Sequence, residues 1–403
     1  VTEKVVVRNL YKIFGSHPEI AMQMLRNGQS KDEIFKKTGL VVGVKDANFH
    51  VNEGEIFVLM GLSGSGKSTL IRLLNRLVDP TQGQILVGGN DVAAMSKRAL
   101  VELRRKDLAM VFQSFALLPH LSVLRNTAFG LEVAGVPRKS RELRAMEVLD
   151  QVGLKAFADR MPAELSGGMQ QRVGLARALA VDPTLMLMDE AFSALDPLKR
   201  TEMQELLLTL QKEHQRTIVF VSHDLDEAFH IGNRIAIMEG GRIVQIGTPD
   251  EILRNPSDEY VRAFFKGVDV NKYLVAKDVA SSGEVLVIHA GADARSDMTQ
   301  AIVRLRETRR NYAFVVSPAG QLQGAVSMDS LVRTLDAGSS TLSDAFVPDM
   351  EPVPDAMTLR HLIGHIVKNP VPLPVVDGSQ HYLGAVTQTI LLKKMVKVEA
   401  NDE

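Results

Sequence analysis

Gly61-Leu62-Ser63-Gly64-Ser65-Gly66-Lys67-Ser68-Thr69 is the stretch whose reading decides the fold. It fits the phosphate-loop pattern G-x-x-x-x-G-K-[ST]. Upstream, Glu55-Ile56-Phe57-Val58-Leu59-Met60 reads as a short buried strand, and downstream Leu70 to Leu77 reads as a helix. Glycines let the backbone curl so that successive N–H groups face one anion, and the following helix aims its positive end at the same place. Gly61, Ser63, Gly64, Ser65, Gly66, Lys67, Ser68 and Thr69 are therefore expected to cradle the phosphates of a nucleoside triphosphate. Lys67 supplies a point charge, and the Ser68 hydroxyl is placed to ligate Mg²⁺.

Composition sets the frame around this loop. The 403 residues allow two or three domains, and the 45% hydrophobic and 24% charged fractions are those of an ordinary globular protein. A net charge of −1 gives no global basic field, so nucleic acid is not an expected partner. Absence of cysteine excludes disulfides and thiolate metal sites and suits a reducing compartment. No apolar run approaches the roughly 18–20 residues of a membrane span, and Val1-Thr2-Glu3-Lys4 lacks the apolar core of a secretory signal. The expectation is a cytosolic chain that is free to dock on a membrane protein.

Along the chain, Val5–Leu10 reads as an opening strand, with Tyr11 and Phe14 just after it. Residues 15–40 form a polar, helix-like insertion before a strand pair over Val41–Val51. From there to about residue 250, strand and helix patterns alternate as an α/β fold requires. Leu185–Asp189 and Ile218–Ser222 are buried parallel-type strands, with a helix from Arg200 to His214 between them. The C-terminal part repeats. Phe314-Val315-Val316 before Gly324-Ala325-Val326-Ser327 matches Pro374-Val375-Val376 before Gly384-Ala385-Val386-Thr387, at equal spacing. Two copies of a small α/β unit are expected, at about 275–337 and 338–398, behind a linker running from Asn255 to Asp269.

Leu187-Met188-Asp189-Glu190 ends an apolar strand in two carboxylates. Asp189 is placed to hold Mg²⁺ through water, and Glu190 to polarise the water that attacks a γ-phosphate. Leu165-Ser166-Gly167-Gly168-Met169-Gln170-Gln171 precedes a helix from Arg172 to Ala180 and offers a second anion site at a helix start.

With these loops in this order, residues 1 to about 267 resemble the nucleotide-binding subunits of ATP-binding cassette (ABC) transporters. The resemblance implies a P-loop NTPase cassette, with a RecA-like core, an antiparallel β subdomain and a helical subdomain within about 100–180. It makes Gln113 the glutamine that contacts Mg²⁺ and water, and His223 the switch histidine that hydrogen-bonds the γ-phosphate. Asp196, in Ser193-Ala194-Leu195-Asp196, matches the D-loop, and Phe14 matches the aromatic that stacks on adenine, with Tyr11 as the alternative. Ser166, Gly167, Gly168 and Gln170 match the signature loop, which the resemblance places against the ATP of a second copy packed head to tail. Such a loop supplied in trans fills a chemical gap, since no arginine finger is evident.

The stretch between the phosphate loop and Ser166 carries no heptad run, which sets the chain apart from coiled-coil repair ATPases, and one cassette per chain sets it apart from translation-factor relatives. Gln113–His120 matches the segment that receives the permease subunit's coupling helix. The insertion at 15–40 and the run Met188–Pro197 are similar to the ATP-binding subunits of glycine betaine/proline betaine importers, the ProV/OpuA type. That type ends in paired cystathionine-β-synthase (CBS) modules, and the repeat within 268–403 is similar to such a pair, giving an α/β tandem CBS domain. The resemblance implies ATP hydrolysis that powers osmoprotectant import at the cytoplasmic face of the membrane, with a permease and a periplasmic or lipid-anchored substrate-binding protein as partners. Import of choline or carnitine, or a nucleotide-gated regulatory or scaffold role, are the alternatives.

CBS pairs that bind nucleotides usually place an aspartate three residues after the Ser or Thr that follows the glycine strand. Here Ser330 and Ile390 stand at those positions. Charge suggests another use: Arg304, Arg306, Arg309 and Arg310 on one helical segment, with Lys393, Lys394 and Lys397, would form a basic surface. Its attraction to an anionic leaflet weakens as salt rises, making an ionic-strength switch.

Overall fold

β1 (Glu3–Phe14) takes in both the expected opening strand and the aromatics behind it. The chain continues through bulges, one at Asn9 with φ 46°, because each half has a partner to pair with. Two helices make the insertion: α1 (Pro18–Arg26) and α2 (Lys31–Thr38). β2 (Val41–Asn52) is one long strand rather than a pair, kinked at Asp46 (φ 48°) but hydrogen-bonded to β1 along its length. β3 (Ile56–Met60) leads into α3 (Lys67–Leu74), which starts earlier and ends earlier than the apolar pattern suggests. Lys67 is already helical, and the helix stops where Arg76 turns left-handed at φ 53°. This structure is a computed structural model that describes residues 2–265, 274–283, 285–290, 294–339, 341–348, 350–369 and 371–392.

β4 (Gln82–Val87) and the short β5 (Asn90–Asp91) complete a four-stranded sheet of order β2-β1-β4-β5, antiparallel throughout. After α4 (Lys97–Lys106), β6 (Leu108–Phe112) enters the second, larger sheet. Helices α5 (Val123–Val133), α6 (Arg138–Gln151) and α7 (Gly167–Ala180) then pack on one another as a separate helical layer. The chain returns through β7 (Leu185–Asp189), α8 (Pro197–His214), β8 (Thr217–Val221), α9 (Leu225–Ile231), β9 (Arg234–Glu239) and β10 (Arg242–Gly247). The larger sheet has order β10-β9-β3-β8-β7-β6, parallel except for the β9–β10 hairpin. β3, β7 and β8 are buried at every position, as central parallel strands are. Phe49 of β2 stacks on Phe57 of β3 with ring centroids 5.3 Å apart, so one core joins the two sheets. Helices α10 (Pro249–Arg254) and α11 (Glu259–Phe264) close this first unit, Val1–Phe265.

The second unit, Lys266–Glu403, contains α12 (Ala276–Val279) and two similar three-stranded sheets. One is β11 (Leu286–His289), β12 (Tyr312–Val316) and β13 (Leu322–Ser327), with α13 (Ala294–Thr308) before β12 and α14 (Met328–Asp336) after β13. The other is β14 (Val353–Pro354), β15 (Leu373–Val376) and β16 (Tyr382–Val386), with α15 (Leu359–Lys368) before β15. Registers repeat: Val315 pairs with Gly324 as Val375 pairs with Gly384, and the same bulge follows in each copy. Packing does not follow the sequence repeats, however. Ala276 and Val279 lie in the core of the second copy with Val353 and Leu362, while Leu342 and Ala345 complete the core of the first. The copies exchange their leading segments and are bridged by the Ser281–Ala385 and Gln321–His381 pairings.

The four arginines read as one basic cluster do not share a helix. α13 ends at Thr308, Arg309 adopts φ 53°, and the Arg310 guanidinium donates to Gly283 O at 2.6 Å. Lys393, Lys394 and Lys397 lie outside the described residues.

Candidate functional site

The phosphate loop bridges β3 and α3, and two of its glycines are required by close approach. A Cβ on Gly61 (φ 149°) would sit 2.2 Å from Met238 O, and one on Gly66 (φ 106°) would sit 2.3 Å from Gly43 O. The loop is thus wedged between β9 and β2 with its backbone turned inward. The hydroxyl of Ser65 is buried there with no hydrogen-bond partner among the described residues, a donor aimed into the loop. Lys67, only 5% exposed, donates to Gly61 O at 2.7 Å and to Leu62 O at 3.1 Å. Burial pushes its ammonium pKa down, against the opposing pull of Glu190 and Asp189. A phosphate would add its negative charge to that of Glu190 and Asp189 beside this desolvated cation.

Ser68 donates to Asp189 Oδ1 at 2.9 Å, and Arg72 reaches Asp189 Oδ2 at 3.3 Å. Asp189 therefore sits at the end of buried β7 directly across from the loop's hydroxyl. Glu190 follows in a left-handed conformation (φ 48°), its N–H donating to Val221 O at 3.2 Å. Glu190 Oε2 accepts from Gln113 Nε2 at 3.1 Å and lies 3.8 Å from His223 Nδ1. Gln113, at the end of β6, also donates to Ser193 Oγ at 3.3 Å. Gln113 and His223, each just past a strand end, thus meet on the one carboxylate of Glu190.

A cavity of about 510 Å³ opens here, with Ser63, Gly64, Gly66, Lys67, Ser68 and Glu190 on its wall. Phe14 also lines it, its ring packed so that a Cβ on Gly43 would lie 2.8 Å from Phe14 Cε2. Tyr11 does not line this cavity; it packs with the insertion's apolar cluster around Ile13 and Leu25.

Comparison with known proteins gives the family of the chain. The family model for "ABC transporter" matches residues 44–193. The glycine betaine/proline betaine transport system ATP-binding protein ProV of Salmonella typhimurium is 52% identical over 402 residues, 99% of each chain. The glycine betaine transport ATP-binding protein OpuAA of Bacillus subtilis is 46% identical, covering 96% of this chain and 91% of that one. The chain belongs to the ATP-binding subunits of ABC transporters. It is an ABC-type ATPase, and the family match lies within its first unit. A dimeric post-hydrolysis structure of the ATP-binding cassette MJ0796 bound to ADP and Pi superposes with a TM-score of 0.51. It is 31% identical and covers 60% of this chain and 98% of that one.

The cassette's remaining expected residues lie elsewhere. Ser166 caps α7 by accepting from Met169 N–H at 3.4 Å, with Ser166 and Gly167 exposed. Neither they nor Gly168 line the cavity of their own phosphate loop. Asp196 caps α8, accepting from Lys199 N–H at 3.0 Å, and is likewise outside the cavity. Gln170 turns inward: its amide donates to Pro162 O at 3.0 Å and Leu165 O at 3.2 Å, bracing the loop from behind.

Sequence reading missed three supports of this cassette. Glu227 of α9 is buried behind the switch position, accepting from Ser222 Oγ at 2.5 Å and Gln204 Nε2 at 3.2 Å, and burial pushes its carboxyl pKa up. Arg177 of α7 donates to Phe115 O at 3.2 Å and Ala116 O at 2.6 Å, tying the segment after Gln113 to the helix that Ser166 caps. Asn126, fully buried, holds Leu118 from both sides, accepting from its N–H at 2.8 Å and donating to its carbonyl at 3.0 Å. Glu227 is signalled only as one of several acidic residues at a helix start; Arg177 and Asn126 carry no local signal.

Proposed function

We infer that this chain is the ATP-hydrolysing subunit of an importer for osmoprotectants of the glycine betaine and proline betaine class. The observation that carries the reading is the gathering of Gln113 and His223 on Glu190, at the wall of a cavity shared with the phosphate loop. The near full-length match to ProV supports the cargo class.

In this reading ATP lies along the cavity with its phosphates on Gly61–Thr69 and Lys67, and its base toward Phe14. Ser68 and Asp189 fit Mg²⁺: a hydroxyl and a single carboxylate, already 2.9 Å apart, suit an ion that keeps most of its ligands as water and phosphate oxygen. When bound, the ion neutralises charge on the β- and γ-phosphates. Gln113 would join that shell through its side-chain carbonyl, since its amide nitrogen already donates to Glu190. Glu190 accepts the proton of the attacking water, held in place by Gln113, and His223 stands within reach of the γ-phosphate side.

The exposure of Ser166 and Gly167, outside the cavity of their own chain, supports a site completed by a second copy packed head to tail. Opening and closing of that dimer would be passed to a permease through Gln113–His120, where Pro119 and His120 are exposed and Leu117 and Leu118 half-buried. A separate binding protein would select the cargo. No helix among the described residues is long and apolar enough to cross a membrane, which fits a peripheral subunit at the cytoplasmic face. The second unit supports a tandem CBS reading through its repeated registers. Its ribose positions offer no carboxylate: Ser330 hydrogen-bonds Ser327 N–H at 2.9 Å, and Ile390 is buried. Regulation without bound adenosine nucleotide is the role it suits best.

The test is uptake into proteoliposomes holding the permease, binding protein and internal ATP. Glycine betaine should accumulate with the unaltered chain and not with Glu190→Gln. Uptake of choline or carnitine alone would refute the cargo assignment, and unchanged uptake with Glu190→Gln would refute the role of this chain.

A further inference from the structure

The insertion at 15–40 has no part in the chemistry described so far, yet it reaches the same cavity. Lys31, Asp32 and Phe35 of α2 line the space whose opposite wall is the phosphate loop. Phe35 is 55% exposed, Phe14 39% and Val41 47%, three large apolar side chains left open around a single cavity. Exposed apolar residues scattered singly need no explanation, but a set that shares one ligand-sized space does.

The segment is built to hold that position. Ser30 and Glu33 form a reciprocal capping box at the start of α2, with Ser30 N–H donating to Glu33 Oε2 at 2.8 Å. Gly39 ends the helix in the left-handed region at φ 72°, its N–H donating to Phe35 O at 2.8 Å. Ile34 is fully buried against Ile13, Met22, Leu25 and Val42, which seats the helix on β1 and β2. With Ile34 pinned inward, Phe35 and Lys31 fall together on another side of α2, one turn apart. The helix is therefore seated at its base and presents the Phe35 ring, the Lys31 ammonium and the Asp32 carboxylate to the cavity.

We propose that α2 of the insertion forms part of the base-binding wall of the nucleotide site, with the Phe35 ring packing against the adenine that Phe14 also contacts and Lys31 adding a cation beside the nucleotide. This rests on the reading that the cavity takes ATP. It extends that reading from the cassette's shared loops to a segment outside them. Packing of a ring reads the face of a base and not its edge, so the contribution is to affinity and applies to any purine triphosphate. Tripolyphosphate, which lacks base and ribose, would not feel Phe35.

Calorimetric titration of the full chain with Mg²⁺ present distinguishes these parts. ATP and tripolyphosphate are each titrated into the unaltered chain, Phe35→Ala, Phe35→Tyr and Phe14→Ala. Phe35→Ala should weaken ATP binding by about tenfold, the loss expected of one base-stacking ring. Phe35→Tyr should restore it, and tripolyphosphate binding should be the same in all four proteins. Unchanged ATP affinity in Phe35→Ala, with Phe14→Ala still weakened, would overturn the role of the insertion while leaving the ATP site standing. Equal weakening of ATP and tripolyphosphate by Phe35→Ala would also overturn it, as a disturbance of the loop and not of the base wall. Failure of the unaltered chain to bind ATP would overturn the ATP reading itself, and this proposal with it.

Discussion

Lys67 and Glu227 are both buried against their own charge, and each states a testable consequence. For Lys67, desolvation disfavours the ammonium, so a bound triphosphate would relieve a cost as well as form contacts. Lys67→Ala should leave the folded chain intact but abolish the rise in melting temperature that ATP gives the unaltered protein. A retained ATP-dependent shift would exclude Lys67 from the site. For Glu227, burial raises the carboxyl pKa above its unfolded value. The native state then holds more protons than the unfolded state above the ordinary glutamate range. Stability contributed by this group is full at low pH and is lost as pH climbs through the raised value. Glu227→Gln should flatten the decline in unfolding free energy from about pH 4.3 upward, measured by denaturant titration across pH. An unchanged slope would mean that other groups set it. The candidate phosphate-loop and carboxylate residues were legible because Gly61–Thr69, Asp189-Glu190 and Ser166-Gly167-Gly168 are each local in sequence. Gln170 was legible as a motif member but not as a brace, since its partners Pro162 and Leu165 are backbone carbonyls fixed only by the folded loop.

Among the elements, α7 has the most connections to account for. Its N-terminus carries Ser166 as cap, and one face carries Arg177, which grips Phe115 and Ala116 beyond Gln113. A movement of the Gln113–His120 segment would thereby reach α7 through two hydrogen bonds from a charged group, one exposed and one part-buried, each worth at most about 1.5–3 kcal/mol. Arg177→Ala should raise amide exchange in residues 113–120 and lower the turnover number about tenfold or more by that energy, with little change in ATP affinity. Exchange confined to α7 itself would contradict this link. Element boundaries were the least legible part of the fold. β2 was expected as a strand pair over Val41–Val51, yet pairing with β1 carries one strand past the kink at Asp46. α3 was expected to begin at Leu70 because apolar periodicity starts there, whereas Lys67 to Thr69 are helical by continuation of the loop.

At the scale of the molecule, two units are encoded by two kinds of signal. The cassette is written in ordered loops, and the second unit in a repeat whose copies exchange their leading segments. That exchange was invisible in sequence, because a repeat fixes which segments are alike and not which copy each packs on. It predicts that cutting between the copies, at about residue 338, would yield two fragments that each lack part of a core, and neither should give dispersed amide spectra alone. A folded isolated fragment 275–337 would contradict the packing seen here. The cassette's central claim is that Glu190 turns bound ATP into hydrolysed ATP. The direct measurement is steady-state ATP hydrolysis by the full chain and by Glu190→Gln, with ATP affinity measured on the same samples. Turnover should fall by about 10²–10⁴ while affinity holds within a factor of about two; equal turnover in the two proteins would contradict the account.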